Sequence, residues 1–242
     1  MATKPSLVRL QRAGDRYFGE HGWLRTYHSF SFADYYDPAN VGWGALRVFN
    51  DDRVAPRRGF ATHSHRDMEI ITYVLEGNLK HEDSMGSAGM VGPGGVQYMS
   101  AGTGVAHSEF NGSPERWLHF IQMWVLPARP GVEPAYGQLD FSVQDRLDKW
   151  LTIAAGPASG APITLSQDAT FKVNRLESER VSHRFDEGRL GFVFAADGNV
   201  TVGEERLSAG DSLRVSGPKT LELTGHGEIL LWDIPPAGAT DR

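Results

Sequence analysis

The sequence predicts an all-β protein made of two related β-barrel units of jelly-roll type. Three observations favour this fold class. Short runs rich in Val, Ile, Tyr, Phe and Thr recur along the chain and are separated by Gly, Pro, Asn and Asp. The 28 glycines and 13 prolines suit a chain that turns often. The order of strands and turns in the first half returns in the second half, and the 242 residues allow one large domain or two small ones.

The first half contains a series of strand signals. ALRVFNDD, residues 45–52, predicts a strand that ends in a turn, and residues 68–83 predict a hairpin that turns at Gly77-Asn78. VQYMS, VAHSEF and WLHFIQMWV predict further strands, and Pro127 ends the last of them. Strands this short, separated by glycine-rich turns, are typical of a sandwich or barrel.

Residues 128–140 are predicted to be a linker between an N-terminal domain, residues 1–127, and a C-terminal domain, residues 141–242. The linker begins ARPGVEP, with three glycines or prolines in seven positions and no periodicity. After a predicted short helix at residues 141–150, the strands resume in the order of the first half. FVFAADGNVTV, SAGDSLRVS and GEILLWDIPP correspond to YVLEGNLKHE, VGPGGVQYMS and LHFIQMWVLP.

Charge and composition exclude several classes of function. The net charge of −6 and the lack of any Lys/Arg run argue against a groove that neutralises nucleic-acid phosphates. The absence of cysteine excludes disulfides and thiolate ligands, so a metal site would use His, Asp or Glu. The first residues lack the apolar stretch of a signal peptide, and no apolar run approaches the ~20 residues that span a bilayer. We therefore expect a soluble, cytoplasmic protein without a membrane or direct nucleic-acid partner.

Two pairs of polar residues predict a metal site. His63 and His65 are two residues apart in a predicted strand, so both side chains point to the same face. His107 and Glu109 repeat this spacing in a later strand. If the two strands are neighbours, three imidazoles and one carboxylate converge, which is a suitable ligand set for a divalent transition metal.

The same motifs resemble those of a known family. Residues 59–77, GFATHSHRDMEIITYVLEG, resemble the first cupin motif, and residues 92–109, GPGGVQYMSAGTGVAHSE, resemble the second. Their combination is similar to the pirin family of bicupins. SFADYYDP and ALRVFNDD resemble its bacterial branch, whose members include quercetin 2,3-dioxygenases. The resemblance covers most of residues 15–127 and is looser over the second half.

The resemblance implies an all-β bicupin with one metal in its N-terminal domain. The implied ligands are His63, His65, His107 and Glu109, with iron(II) favoured and nickel, cobalt, manganese, copper or zinc also compatible. In many other cupins the glutamate of the first motif, here Glu69, is the fourth ligand. The resemblance to pirins favours a supporting carboxylate at this position, with metal ligation as the alternative. In the C-terminal domain the His-x-His pair is reduced to His183. We therefore expect that domain to be degenerate and to bind no metal.

The other histidines have simpler interpretations. His81 is interpreted as a surface residue of its strand, although a position facing the cavity is the alternative. His119 lies among apolar residues and is predicted to be buried and hydrogen-bonded. His226 and Glu228 fall in a predicted turn and are not expected to form a second metal site. Core packing is the expected role of a last group: His28, Phe30, Phe32, Met68, Tyr98 and Met99. The alternative is that Phe30 and Phe32 form a pocket wall, and that some of the other apolar residues line a cavity for a flat aromatic ligand.

The resemblance also implies an activity, the dioxygenation of a flavonol such as quercetin by O2. A bound metal would lower the pKa of the substrate's enolic hydroxyl, and Glu109 would be the catalytic group that accepts the proton. Two alternatives stay open. Other pirin relatives are iron-binding, redox-responsive regulators of a transcription factor or metabolic enzyme, which would give this chain a protein partner. A different enolisable compound is also compatible with the fold.

Overall fold

The computed structural model describes residues 8–238, which form two compact units. The N-terminal unit comprises Tyr17–Gly42 and Leu46–Ser142. The C-terminal unit comprises the described residues up to Arg16, the short segment Trp43–Ala45, and the described residues from Val143 onward. The predicted domain boundaries differ from these units in three places. Residues 8–16 and 43–45 belong to the C-terminal unit, and residues 128–142, which include the predicted linker, belong to the N-terminal unit.

Within residues 8–238 the chain forms twenty strands, which pair antiparallel except for one short parallel pair, β13 with β14. One α-helix, α1, spans Val143–Arg146, and one 3-10 turn spans Ala13–Asp15. No helix in this part of the chain has the length and apolarity needed to cross a membrane. In chain order the strands are β1 (Val8–Gln11), β2 (Tyr17–Glu20), β3 (Leu24–His28), β4 (Leu46–Val54), β5 (Gly59–His65), β6 (Glu69–Glu76), β7 (Leu79–Asp83), β8 (Ala88–Val91), β9 (Val96–Ser100), β10 (Val105–Asn111), β11 (Leu118–Val125), β12 (Ala135–Leu139), β13 (Leu151–Ala155), β14 (Ile163–Thr164), β15 (Thr170–Leu176), β16 (Val181–Phe185), β17 (Leu190–Val202), β18 (Glu205–Ser208), β19 (Ser212–Ser216) and β20 (Lys219–Ile234).

The N-terminal unit is built from two sheets. A seven-stranded sheet has the order β12-β9-β6-β11-β4-β3-β2, and a four-stranded sheet has the order β5-β10-β7-β8. A buried apolar cluster joins both sheets, with Val74 and Phe120 from the first and Leu79 and Val91 from the second. This confirms the predicted all-β cupin fold. The sheets remain open at their edges, so the unit is a double-sheet jelly roll rather than a closed barrel.

Two local predictions in this unit need correction. Strands β6 and β7 do occupy residues 69–83, but they are not a hairpin. β6 pairs with β9 and β11, whereas β7 pairs with β8 and β10. Gly77, with a φ of 83°, lets the chain pass from one sheet to the other. The segment predicted as a linker contains β12, which pairs with β9 along its full length.

The C-terminal unit is a nine-stranded sheet along which β1-β19-β17-β20-β15-β13-β14 are neighbours. Its core contains residues from many of these strands, including Val193, Leu213 and Leu231. FVFAADGNVTV does not turn as predicted but belongs to β17, which has a register shift between Ala195 and Asp197. The predicted helix at residues 141–150 is restricted to the single turn of α1.

Candidate metal centre

The pairing of β5 with β10 brings the predicted ligands together. His63 lies directly opposite His107 in the antiparallel register, and His65 lies opposite Val105. The Nε2 atoms of His63 and His107 are 3.1 Å apart. One potential ligand atom from each of His63, His65 and His107 lies within 4.8 Å of the others. Three imidazole nitrogens at this separation can reach one cation.

Glu109 lies next to His107 in the structure through a different strand pairing. The register of β10 against β5 shifts between His107 and Glu109, and on its other side Glu109 lies opposite His81 of β7. Ligand atoms of Glu109, His107 and His81 form a second cluster within 4.8 Å. The predicted ligands therefore fall into two overlapping clusters that share His107, and the second cluster adds a residue that was not predicted.

The Glu109 carboxylate is held by two amides of the seven-stranded sheet. Its Oε1 accepts a hydrogen bond from Nε2 of Gln97 at 2.6 Å, and its Oε2 accepts one from Nε2 of Gln122 at 2.8 Å. Glu109 is only 1% exposed. Burial raises the pKa of its carboxyl group, although His81 and the two amides oppose this effect.

The imidazoles are suited to bind a cation at neutral pH. Burial, helped by neighbouring histidines, lowers the pKa of His65 to about 4 and that of His107 to about 3. Both rings are therefore neutral and offer lone pairs, as metal ligation requires. Nδ1 of His63 lies 2.8 Å from the carbonyl oxygen of Ala61, so Nδ1–H donates and Nε2 is free for a metal.

His81 is not a surface residue, so that prediction was wrong. The β7 strand lies between β10 and β8, and His81 is 1% exposed and stacks on Tyr136 with ring centroids 4.2 Å apart. Its Nε2–H donates to Oδ2 of Asp83 at 3.1 Å. Its Nδ1 is then free to accept from Nδ1–H of His107 at 3.4 Å, which leaves Nε2 of His107 for a metal.

Replacing His81 by phenylalanine is expected to weaken metal binding about 10–100-fold while the protein stays folded, because loss of a residue that orients a ligand has this effect. The phenyl ring keeps the stack on Tyr136 but removes both nitrogens. Titration of the metal-free variant with nickel(II) in a calorimeter measures the effect. Glu82→Gln, an exposed neighbour on the same strand, is the control. Unchanged affinity in His81→Phe would contradict the proposed orienting role.

Other residues highlighted by the sequence lie outside the two clusters. Glu69 is buried and accepts a hydrogen bond from Tyr98 at 3.0 Å. His119 is buried and bonds to Asp51 at 2.7 Å, as predicted. In the C-terminal unit, Nε2 of His183 bonds to Asp233 at 2.9 Å.

His226 and Glu228 lie in β20 rather than in a turn. The two side chains have different partners. Nε2 of His226 contacts a carboxylate oxygen of Glu177, while Glu228 accepts a hydrogen bond from Arg146 at 3.2 Å.

A cavity of about 630 Å³ adjoins the histidines. His63, His65 and Glu109 form part of its wall. Aromatic rings cover much of the rest: Trp23 meets Phe60 edge to face at 5.2 Å, and Phe32 meets Trp124 edge to face at 5.3 Å. Trp124 also packs edge to face against His65 at 4.7 Å. Such a pocket suits a flat aromatic ligand.

Some of the residues assigned to core packing behave differently from that prediction. Phe30 is fully buried, and Met68, Tyr98 and Met99 are packed or buried as expected. Phe32 and His28 instead line the cavity. On β3 and β4, Thr26, Asn50 and Asp52 line it as well. Sequence reasoning did not identify Asn50 and Asp52, although their spacing of two in ALRVFNDD places them on one face of a strand.

Asp52→Asn is expected to stabilise the metal-free protein increasingly as the pH rises. Burial raises the pKa of Asp52 to about 7, Thr26 opposes the shift, and Asp51 and Glu109 add to it. The folded state therefore binds more protons than the unfolded state between about pH 4 and 7, and wild-type stability falls through this window. Asparagine cannot ionise, so the free-energy difference between variant and wild type should grow by about 2 kcal/mol from pH 5 to pH 8.

Urea unfolding at several pH values measures this difference. Asp34→Asn, which removes an exposed carboxyl group, is the control and should follow the wild-type pH dependence. A constant difference between Asp52→Asn and wild type across the range would show that Asp52 does not titrate in this window.

The fold and the site together define a bicupin with a candidate metal centre in its N-terminal unit. Residues 11–125 match the family model Pirin, and residues 139–234 match the model described as Quercetinase C-terminal cupin domain. The chain belongs to the pirin family, as its motifs indicated.

Relatives and solved structures agree with this assignment. The quercetin 2,3-dioxygenase of Escherichia coli strain K12 is 39% identical over 233 residues, which cover 95% of this chain and 100% of that protein. A pirin-like protein of Caulobacter vibrioides is 40% identical over 218 residues, covering 88% of this chain and 94% of the relative. The crystal structure of the bacterial pirin YhhW from Escherichia coli in complex with nickel(II) matches with a TM-score of 0.89 at 37% identity, covering 96% of this chain and 100% of that chain.

Proposed function

We propose that this protein is a metal-dependent dioxygenase that cleaves a flavonol such as quercetin with O2 in the cytoplasm. The observation that carries the proposal is the position of His63 and His65, two members of the histidine cluster, in the wall of an aromatic cavity of about 630 Å³. A cavity of this size is in the range that holds a ligand the size of a drug molecule. The relative named quercetin 2,3-dioxygenase supports the same reaction class.

The donor set fits one divalent transition metal. We assign His63, His65, His107 and Glu109 as its ligands, and iron(II) as the favoured ion, with nickel(II) supported by the related bacterial pirin. The three imidazoles and the carboxylate are borderline and hard ligands that exclude no common first-row metal. When bound, the metal supplies Lewis acidity that lowers the pKa of the substrate's enolic hydroxyl.

The protein's own groups position the substrate and take its proton. Trp124 and Phe60 hold the flat rings in the cavity. Glu109 lies in the cavity wall and accepts the proton of the 3-hydroxyl group, since burial has made its carboxylate more basic. Gln97 and Gln122 keep both carboxylate oxygens oriented. The electron-rich enolate then takes up both atoms of O2, and the central ring opens with loss of carbon monoxide.

Metal analysis and oxygen uptake together test this function. The purified protein is analysed for bound metals and then loaded in turn with iron(II), nickel(II), cobalt(II) and manganese(II). Quercetin absorbance and O2 consumption are followed in the same reaction. Metal-dependent consumption of quercetin and O2 in equal amounts, which is absent in the His107→Ala variant, supports the dioxygenase. One bound metal without O2 uptake under any loading would overturn it and favour a redox-responsive binding protein.

A further inference from the structure

The cavity has a polar side as well as an aromatic one. His28 of β3 lies opposite Asn50 of β4, and Asn50 lies opposite Gln122 of β11 in the antiparallel register. Asp52, two residues from Asn50, is in the same phase of the strand. All four side chains line the cavity. Gln122 donates a hydrogen bond to Glu109. The four residues therefore form a polar row that extends from the candidate metal centre across the inner face of the seven-stranded sheet.

Three atoms of this row have no hydrogen-bond partner among the described residues. They are Nδ1 of His28, Oδ1 of Asn50 and Oδ1 of Asp52. The three residues are 5%, 2% and 3% exposed, respectively. A buried polar atom without a partner costs about 1–3 kcal/mol, so such atoms are normally paired with a ligand or water. All three residues line the same cavity, so a ligand bound in that cavity is a candidate partner for these atoms.

The chemistry of these atoms selects the partner. The amide oxygen of Asn50 is an acceptor only, and above the raised pKa of Asp52, about 7, its carboxylate oxygens are acceptors as well. Burial and the nearby His21 lower the pKa of His28 to about 4, so its ring is neutral and has one accepting nitrogen. A site rich in acceptors binds hydroxyl donors. Phenolic hydroxyl groups on a flat ring, each donating one hydrogen bond, meet both this requirement and the aromatic wall.

We propose that His28, Asn50 and Asp52 form a subsite that hydrogen-bonds ring hydroxyl groups of the flavonol, each hydroxyl group donating to one of these acceptors, remote from the 3-hydroxy-4-keto edge that faces the histidines. This inference rests on the proposed function for its ligand. It identifies Asn50 and Asp52 as specificity-determining residues, which select hydroxylated flavonols over those without ring hydroxyl groups.

Anaerobic binding to the nickel(II)-loaded protein tests the subsite without turnover. The two probes are quercetin and 3-hydroxyflavone, which shares the 3-hydroxy-4-keto edge but has no other hydroxyl group. Asn50→Leu and Asp52→Leu should each weaken quercetin binding about tenfold, as expected for one lost hydrogen bond, and change 3-hydroxyflavone binding less than about twofold. Asp52→Asn should restore most of the quercetin affinity. Arg53→Leu, on the exposed face of β4, is the control.

The outcomes separate the subsite from the proposed reaction. Equal weakening of both probes would show that these side chains only shape the cavity, and unchanged quercetin binding in both leucine variants would show that they do not contact it. Either result overturns the subsite and leaves the dioxygenase proposal standing. Quercetin binding with the expected pattern but without O2 uptake would keep the subsite and reject the reaction. If a leucine variant does not fold, a wild-type protein that binds both probes equally would also overturn the subsite.

Discussion

Replacing His107 by alanine is expected to remove bound metal from the folded protein. His107 belongs to both ligand clusters, is 1% exposed, and has its Nε2 atom 3.1 Å from that of His63. Loss of an orienting neighbour alone weakens a metal site about 10–100-fold, so loss of this shared ligand should weaken it by more than about 100-fold. Elemental analysis after dialysis, together with calorimetric titration of the metal-free variant, measures the change. His65→Ala should also lose most of its metal.

His183→Ala is the matched control for this experiment. It removes a part-buried histidine that is hydrogen-bonded to a carboxylate, but in the C-terminal unit. Its metal content should equal that of wild type. Full metal stoichiometry in His107→Ala would contradict the ligand assignment, and metal loss in His183→Ala would contradict the assignment of the site to the N-terminal unit.

Replacing Gly59 by alanine is expected to destabilise the protein by about 3 kcal/mol, the upper end of the usual cost of overpacking, and to lower its metal content. Gly59 pairs with Phe110 where β5 meets β10. An added Cβ would collide with the Glu109 carbonyl oxygen and lie 2.5 Å from Cα of Phe110, so backbone atoms would have to move. All four proposed ligands are on these two strands. Urea unfolding and elemental analysis measure the two effects.

Gly137→Ala is the control for this prediction, since Gly137 is also a strand glycine of the N-terminal unit and an added Cβ there meets no atom within 4 Å. Its stability should stay within about 0.5 kcal/mol of wild type. If Gly59→Ala were as stable as Gly137→Ala, the close approach of β5 and β10 would not limit the site.

The candidate ligands could be found from the sequence because strand periodicity is a local property. His63 and His65 share a face by their spacing alone, and so do His107 and Glu109. The sequence does not show that the two pairs lie close together. Their proximity depends on the pairing of β5 with β10, which the structure shows. The same local rule places Asn50 and Asp52 on one face, but it does not tell which face borders a cavity.

The wrong predictions concern features that depend on which strands pair with each other. His81 is predicted to be a surface residue from the position of its own strand alone. Its burial follows from the position of β7 between β8 and β10 and from the stacked Tyr136 of β12. β12 itself was missed because glycine and proline dominate the start of its segment. The sequence predicts a hairpin at Gly77 because a turn that joins two sheets has the same local signature as a hairpin turn.

The two hydrogen bonds to Glu109 also connect parts of the fold that carry no proposed ligand. Glu109 belongs to β10 of the four-stranded sheet, whereas Gln97 and Gln122 belong to β9 and β11 of the seven-stranded sheet. Its carboxylate therefore links the two sheets of the N-terminal unit by hydrogen bonds. Occupancy of the metal centre should suppress opening motions of the whole unit, and amide hydrogen exchange in β9 and β11 would slow together with that of β5 and β10.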